Sequence, residues 1–541
     1  LVFGAPIVVF AIQAALLRDT EYGLAVSSVV AALFYAVGAS SLYRRKGPQV
    51  RLLVECYLAL AVAFAVIAVP LAFDGRWTSA AWALQGAALA WIGIRQSRKL
   101  ATLASTGLIL FSGLVFVFEP WHSGEGLPLL NSSVLGGLLI SLSALFVARR
   151  LDLPDGQALG RGFSVAAAIL FGWGVLWWFG TAFNEIDAWL TNGDAELHVS
   201  LLAGATSMVL ALWLSQRMAW SRLFLVTLLL LPAIAYLALD EAQLNVHYLF
   251  ALGWLAWPAV WLVQGAVLHR VDQDRPALAP VWHVLSALLL AAMVALEAYW
   301  RLNDALSSAW GWLGAAVVLG LAVQLIGQLG ARTLWPVRAH PEHYRSTMDF
   351  LVLSLVVGAA WLALERPGDP TPLTYLPLIN PFDGVMVLAG FLAIQGLRRY
   401  PAGQRPDTLL FGVVDTRFVG LLLAGGFLLI TSAAVVRAVH HLAGVPWAFN
   451  ALFDSVVVQS ALAIYWGLLG FIGMIWGAKN GSRQLWVVGA GFMALVVLKL
   501  FLVDLGGTGT IARIISFIGI GALLTVVGYF APAPPSARKT G

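Results

Sequence analysis

Polar side chains that could bind a ligand gather around one proline-rich segment and the connections that follow it. The segment ERPGDPTPLTYLPLINPFDG (365–384) mixes carboxylates, an arginine and an amide with five prolines. Mixed charges of this kind suit charge-assisted hydrogen bonds to a sugar, a phosphate or a lipid head group. The candidate ligand-binding residues are Glu365, Arg366, Asp369, Tyr375, Asn380, Asp383, Arg437, His440, His441, Asp454, Lys499, Asp504 and Arg513.

Two other interpretations of these residues stay open. Pairs of carboxylates perform acid–base chemistry on glycosidic bonds, which would make the chain an enzyme of the glycosyl- or acyl-transferase type. Alternatively, the residues are solvated loop charges and anchors at the membrane interface. The sequence gives no catalytic residue that would separate these alternatives.

Metal and cofactor sites are not predicted. His440 and His441 are adjacent, so their side chains diverge on a helix, and no HExxH spacing is present. The turn Gly506–Gly509 precedes a predicted helix and could hold an anion on backbone N–H groups. It lacks the following lysine of a phosphate-binding loop, and a simple turn between two helices explains it.

The composition indicates that the elements that position these residues lie in a membrane. Of the 541 residues, 60% are hydrophobic and 11% are charged, whereas soluble domains carry about 25% charged residues. The net charge of +5 does not indicate nucleic-acid binding, because the basic residues form short clusters between apolar runs. The predicted fold class is therefore all-α, a polytopic integral membrane protein.

Eighteen apolar stretches are long enough to cross about 30 Å of hydrocarbon. They predict antiparallel helical hairpins, with a degenerate repeat indicated by Gln-Gly pairs at 85–86, 264–265 and 395–396. The stretches lie near 1–17, 22–43, 52–73, 77–94, 100–118, 130–148, 163–183, 197–215, 222–239, 248–268, 279–300, 308–330, 348–364, 384–397, 418–436, 449–478, 485–503 and 513–531.

Basic residues fix the predicted orientation. Connections after even-numbered spans hold most of the 32 lysines and arginines, whereas connections after odd-numbered spans are acidic or neutral, as at Glu185 and Glu241. The positive-inside rule then places both ends of the chain in the cytoplasm and the proline-rich segment outside. The first span begins at Leu1 without an initiating methionine, so we expect that the chain is the C-terminal part of a longer protein.

Two segments depart from regular spans. Five prolines exclude a helix over 365–384, and its apolar residues predict an outer, partly re-entrant loop. The stretch 449–478 predicts one helix of about 45 Å that projects beyond the hydrocarbon or tilts strongly.

A transporter is the third functional alternative, and it needs a polar path at mid-membrane. The positions of the charged residues leave no lysine or carboxylate clearly at that depth. Gln85, Gln324 and Gln328 are neutral, and we predict that they pack or form hydrogen bonds between helices.

Three stretches carry a family resemblance: FGAPIVVFAIQAALLRDTEYGLA near the start, DFLVLSLVVGAAWLALERPGDPTPLTYLPLINPFD (349–383) and KLFLVDLGGTGTIARIISFIGIGALLTVVGYFAP (499–532). Through them the sequence resembles the bacterial predicted membrane proteins of domain of unknown function 2339. The resemblance implies an inner-membrane location and a role in the cell envelope. It implies no activity and supplies no catalytic residues.

The function expected from these observations is binding rather than catalysis. We expect a membrane scaffold or binding component that handles an envelope lipid or polysaccharide at the outer leaflet. Its expected partners are membrane lipid, an envelope glycan or lipid head group, and a periplasmic protein, with no nucleic acid.

Overall fold

The computed structural model of the chain describes residues 4–17, 20, 22–46, 50–72, 75–118, 127–190, 193–399, 408–409, 414–499 and 525. These residues form helices almost throughout, as the apolar composition requires when backbone polar groups must be satisfied without water. Besides turns and irregular connections, they include one antiparallel pair of two-residue strands, β1 (Thr408–Leu409) and β2 (Val414–Asp415).

Twenty helices occupy the described residues. They are α1 (Gly4–Leu16), α2 (Gly23–Lys46), α3 (Arg51–Ala72), α4 (Gly75–Arg95), α5 (Lys99–Phe118), α6 (Ser132–Asp152), α7 (Pro154–Gln157), α8 (Arg161–Trp189), α9 (Gly193–Arg217), α10 (Ser221–Thr227), α11 (Leu230–Leu244), α12 (Gly253–Asp274), α13 (Ala279–Ala305), α14 (Ser308–Ala331), α15 (Pro341–Glu365), α16 (Pro381–Arg398), α17 (Thr416–Ala443), α18 (Phe449–Asp454), α19 (Val456–Lys479) and α20 (Arg483–Lys499).

Eleven of these helical segments are long and apolar enough to cross a membrane, and α16 is a shorter apolar helix. The multi-pass membrane architecture is therefore confirmed. The count of eighteen spans and their antiparallel hairpin arrangement stay predictions, as does the single membrane domain. The stretch 513–531 lies outside the described residues.

The chain divides into two compact units, 1–267 and 268–541. In the first unit, α2 packs on α3, α4 on α5, and α6 on α8. One of its cores is built from small and branched side chains, such as Ala90, Ile109 and Ala144, each with essentially no solvent exposure. Small residues at these contacts let helices approach closely.

The second unit contains the proline-rich segment. Its main core joins α13, α14, α15, α16 and α17, with Ala359, Ala389 and Leu392 fully buried. Helix α15 packs on both α16 and α17. The helices α19 and α20 pack on one another.

The single long helix predicted over 449–478 is wrong. Helix α18 ends at Asp454 and α19 begins at Val456. The residue between them, Ser455, is extended, and its side chain accepts a hydrogen bond from the backbone N–H of Val458 at 3.4 Å. A serine that caps a helix start in this way competes with helix continuation, which periodicity alone does not reveal.

The glutamines at predicted mid-membrane positions bond between helices. The Gln324 amide on α14 donates to the Gln395 carbonyl oxygen on α16 at 2.8 Å, and Gln85 donates to the backbone oxygen of Ala65 at 3.2 Å. The prediction of interhelical hydrogen bonds is confirmed for Gln85 and Gln324.

Candidate functional site

Asp383 and Arg437 form a buried ion pair beside the proline-rich segment. Asp383 lies in the first turn of α16 and Arg437 lies near the end of α17, 54 residues later. The Arg437 guanidinium donates to Asp383 Oδ1 at 2.7 Å, and the two side chains are 0% and 3% exposed. Sequence analysis predicted both residues as site residues, and the structure brings them together.

The second oxygen of the Asp383 carboxylate is also fully used. Asp383 Oδ2 accepts hydrogen bonds from the Asn380 amide at 2.7 Å and from the backbone N–H of Leu378 at 3.1 Å. The Asn380 side chain in turn accepts from the backbone N–H of Asp383 at 2.9 Å. Asn380 thus caps the start of α16, and the helix dipole favours the negative charge of Asp383 there.

Arg437 makes two further contacts. One amino group donates to the backbone oxygen of Ala363 near the end of α15 at 3.4 Å, and the guanidinium carbon lies 4.9 Å from the Phe382 ring centre. Cation–π contact of this kind favours a desolvated arginine. Among the described residues, the buried Arg437 Nε–H has no hydrogen-bond acceptor.

Gly368 allows the proline-rich segment to lie against this pair. Its φ is +72°, and a Cβ atom added there would lie 2.9 Å from Cγ of Phe382. The close approach and the positive φ both require glycine. The segment thus covers the ring that contacts Arg437.

Aromatic and imidazole rings hold the same segment on α17. The Tyr375 ring stacks on His441 with ring centres 4.1 Å apart, and His441 Nε2 lies 3.0 Å from the backbone oxygen of Pro367. His440 contacts the Trp447 ring at 5.6 Å, and the Trp447 indole donates to the backbone oxygen of Glu365. The segment is therefore packed on the helices, and its partly re-entrant character stays a prediction.

Two groups in the segment have shifted pKa values. Burial raises the pKa of Tyr375 to about 12, and the nearby Asp383 carboxylate also raises it. Among the described residues, the Tyr375 hydroxyl has no hydrogen-bond partner. Hydrogen bonds from the Thr371 hydroxyl and backbone N–H hold the pKa of the Asp369 carboxyl below its usual range, and His441 adds to the effect.

The remaining predicted residues do not join the buried pair. Arg366 is exposed just after α15, and Asp454 is exposed at the end of α18. Lys499 ends α20, where its ammonium donates to the backbone oxygen of Gln459 at 2.9 Å. Asp504 and Arg513 lie outside the described residues.

An apolar cleft of about 620 Å³ opens beside the ion pair. It is lined by residues of α15, α16 and α17 and by Leu378 of the proline-rich segment, and Asp383 is the charged residue among those that line it. Gly390 and Gly420 contribute to its open width, because a Cβ atom added at either position would meet no atom within 4 Å among the described residues. Sequence analysis did not predict this cleft.

Buried carboxylates elsewhere were also missed. Glu185 and Glu241 of the first unit were assigned to acidic connections, yet they are 6% and 1% exposed. Glu185 accepts from Asn131 and Trp189, and Glu241 accepts from Trp257. The donors lie 4 to 54 residues from the carboxylates that they bond, so these contacts were not evident from the order of residues in the connections.

Comparison with known sequences identifies the family. The model of a family described as predicted membrane protein (DUF2339) matches residues 1–534, nearly the whole chain. The chain belongs to the DUF2339 family. No curated protein and no solved structure matches it. DUF2339 membership agrees with the multi-pass architecture and assigns no substrate.

Proposed function

We propose that this DUF2339 protein is a lipid-binding component of the inner membrane, with a phospholipid acyl chain in the cleft and the head group at the proline-rich segment. The observation that carries the proposal is the apolar cleft that ends at the Asp383–Arg437 pair. The basic connections at the other ends of the helices assign this site to the outer leaflet by the positive-inside rule.

The position of Arg437 relative to the cleft supports this pairing of chain and head group. Ala434 lines the cleft, and Arg437 follows three residues later on α17, so both lie on the same helix face. An acyl chain along the cleft would therefore end beside a cationic group. Lipid-binding sites commonly combine an apolar surface with a few polar groups that fix orientation.

Unused hydrogen-bond donors support a phosphate as the head group. The Arg437 Nε–H and the Tyr375 hydroxyl are buried and have no partner among the described residues. The charges of Asp383 and Arg437 both affect the pKa of Tyr375. The Tyr375 hydroxyl and the Arg437 Nε–H therefore lie near one another. A phosphate oxygen would satisfy donors that otherwise cost free energy when buried.

The enzyme alternative has less support from the same geometry. Acid–base chemistry on a glycosidic bond uses two carboxyl groups at the reacting centre. Among the residues that line the cleft, Asp383 is the one carboxylate, and both its oxygens already accept hydrogen bonds. We therefore favour binding over transfer chemistry.

Filling the cleft tests the proposal. Gly390→Leu places a side chain where the acyl chain would lie, and we expect occupancy by phosphatidylglycerol to fall about tenfold in native mass spectrometry of the purified chain. Displacement of about two methylene groups, at about 0.8 kcal/mol each, gives this magnitude.

Gly358→Leu is the matched control, because Gly358 lies on α15 outside the residues that line the cleft and also has open space around an added Cβ. Equal loss in both variants, or no loss in either, would reject the cleft as the site.

Diacylglycerol, which lacks the phosphate, distinguishes binding of the acyl chain from binding of the head group. Tyr375→Phe should weaken phosphatidylglycerol several-fold and leave diacylglycerol unchanged.

A further inference from the structure

A second polar cluster lies at the opposite end of α15 from the proline-rich segment. Asp272 is in the last turn of α12, His283 is in the second turn of α13, and His340 directly precedes α15. The connections between α12 and α13 and between α14 and α15 bring these residues together. All three belong to the second compact unit.

We propose that Asp272, His283 and His340 bind a divalent transition-metal ion of the Zn²⁺ type. Asp272 Oδ1 lies 3.0 Å from His283 Nε2 and 2.9 Å from His340 Nε2. The three possible ligand atoms all lie within 4.8 Å of one another. This inference is independent of lipid binding at the other end of α15.

The spacing of the three ligand atoms is near that of a tetrahedral site without matching it at every pair. Zinc binds imidazole nitrogen and carboxylate oxygen at about 2.0–2.2 Å, so two ligand atoms of a tetrahedral site are about 3.3–3.5 Å apart. The carboxylate–imidazole distances in the cluster are therefore a few tenths of an ångström shorter than in a loaded site. The three ligand atoms together span up to 4.8 Å, so an ion would also have to draw the two imidazole nitrogens closer to one another.

Neighbouring donors orient the proposed ligands. The Tyr344 hydroxyl lies 3.0 Å from His283 Nδ1, on the opposite side of the ring from the Asp272 carboxylate. The Trp335 indole donates to Asp272 Oδ2 at 3.0 Å, which leaves Oδ1 toward the imidazoles. Metal-binding histidines and carboxylates usually have such outer partners, which fix the tautomer and the ring orientation.

Burial and ligand chemistry indicate the class of ion. The His283 side chain is 0% exposed, whereas those of Asp272 and His340 are 18% and 17% exposed, so the cluster is shielded and still reachable from water. Two imidazoles disfavour Mg²⁺ and Ca²⁺, which prefer oxygen ligands. Three protein ligands leave a coordination position for water or an exogenous ligand.

No spacing pattern along the chain predicts this cluster. Asp272 and His283 are 11 residues apart and His340 is 57 residues farther along, with no HExxH or paired-cysteine spacing. Each residue alone looks like a polar group at a helix end. The convergence comes from the packing of α13 on α14 and of α13 on α15.

Metal binding by the purified full chain tests the proposal. After treatment with a chelator and titration with Zn²⁺, we expect one ion per chain by elemental mass spectrometry and calorimetry. X-ray absorption at the zinc edge should show two imidazole ligands. Asp272→Asn and His340→Gln should abolish stoichiometric binding, and Tyr344→Phe should weaken it about 10- to 100-fold.

His269→Gln is the control, because His269 is an exposed histidine that contacts the Trp335 ring without belonging to the three-residue cluster. It should bind Zn²⁺ as the wild type does. Circular dichroism and gel filtration show whether each variant is folded. If Asp272→Asn does not fold, His340→Gln alone provides the test. A folded wild type without stoichiometric Zn²⁺, Fe²⁺ or Mn²⁺, or variants that bind equally well, would overturn the proposal.

Discussion

The two ends of α15 carry two different kinds of polar cluster. At the end next to Glu365, Arg437 and Asp383 form a buried ion pair, and the carboxylate accepts further hydrogen bonds from Asn380 and Leu378. At the end next to Pro341, the imidazoles of His283 and His340 both contact the Asp272 carboxylate. Tyr344 and Ala363, which contact the two clusters, are about 28 Å apart along the helix.

The two clusters differ in their chemistry. The buried arginine–aspartate pair joins three helices, because Arg437 of α17 bonds to Asp383 of α16 and to the backbone of Ala363 of α15. A carboxylate between imidazoles can exchange protons for a metal ion, because neutral histidine and ionised aspartate are good ligands. The ion-pair end is the one that we propose binds a lipid, and the histidine end is the one that we propose binds a metal ion.

The largest expected effect comes from breaking the buried pair. Arg437→Met leaves the Asp383 charge buried without its partner, and we expect a loss of about 3–5 kcal/mol in unfolding free energy. Thermal or denaturant unfolding in detergent measures it. The double variant Arg437→Met with Asp383→Leu should recover most of the loss. A loss below about 1 kcal/mol in Arg437→Met would show that the ion pair does not stabilise this end of α15.

A smaller effect is expected at the histidine end in metal-free protein. His283→Phe keeps the ring volume but leaves the Tyr344 hydroxyl without its imidazole partner, and we expect a loss of about 2 kcal/mol. Asp272 retains its bonds from His340 and Trp335, which limits the damage. The same unfolding measurement applies, with a chelator present. A loss equal to that of Arg437→Met would remove the distinction between the two ends.

The sequence predicted one of these ends and missed the other for a physical reason. Prolines and helix boundaries concentrate Asp369, Asn380 and Asp383 in one short segment, so their proximity follows from chain connectivity. Arg437 joins them because α17 returns to the same end. Asp272, His283 and His340 become neighbours through helix packing alone, which spacing along the chain does not encode.

The fold was predictable to a similar degree. Apolar composition predicted a multi-pass helical membrane protein, and prolines predicted the break between α15 and α16. The break at Ser455 was missed, because a capping hydrogen bond depends on one side chain within an apolar run. Apolar residues on both sides of such a break keep the hydropathy pattern continuous.

A modest effect is expected between the two ends, where Gln324 and Gln395 join α14 to α16. A double-mutant cycle with leucine at each position should give a coupling of about 0.6 kcal/mol, because interhelical hydrogen bonds in membrane proteins are worth about that much. Unfolding of the two single variants and the double variant provides the measurement. A Gln324–Gln395 coupling energy as large as the loss in Arg437→Met would show that the hydrogen bond between α14 and α16 stabilises the fold as much as the ion pair does.

The smallest effect concerns Asp369 in the proline-rich segment. Its folded pKa is lowered by Thr371, so its hydrogen bonds stabilise the segment above the unfolded value of about 3.9 and are lost as pH falls through the lower folded value. Hydrogen exchange at the Thr371 amide should therefore show no extra opening from neutral pH down to about 4, and should show it below. In Thr371→Val the opening should begin at higher pH. An identical profile in both proteins would contradict the assignment.

The lipid site belongs to the outer leaflet only if the two ends of α15 lie on opposite sides of the membrane, with the proline-rich segment outside. Cysteine introduced at Asp369 or at Arg338, in a Cys56→Ser background, can be labelled in intact spheroplasts with a membrane-impermeant maleimide. We predict rapid labelling at position 369 and labelling at position 338 only after permeabilisation. Equal labelling of both positions in intact spheroplasts, or labelling of position 338 alone, would contradict the account.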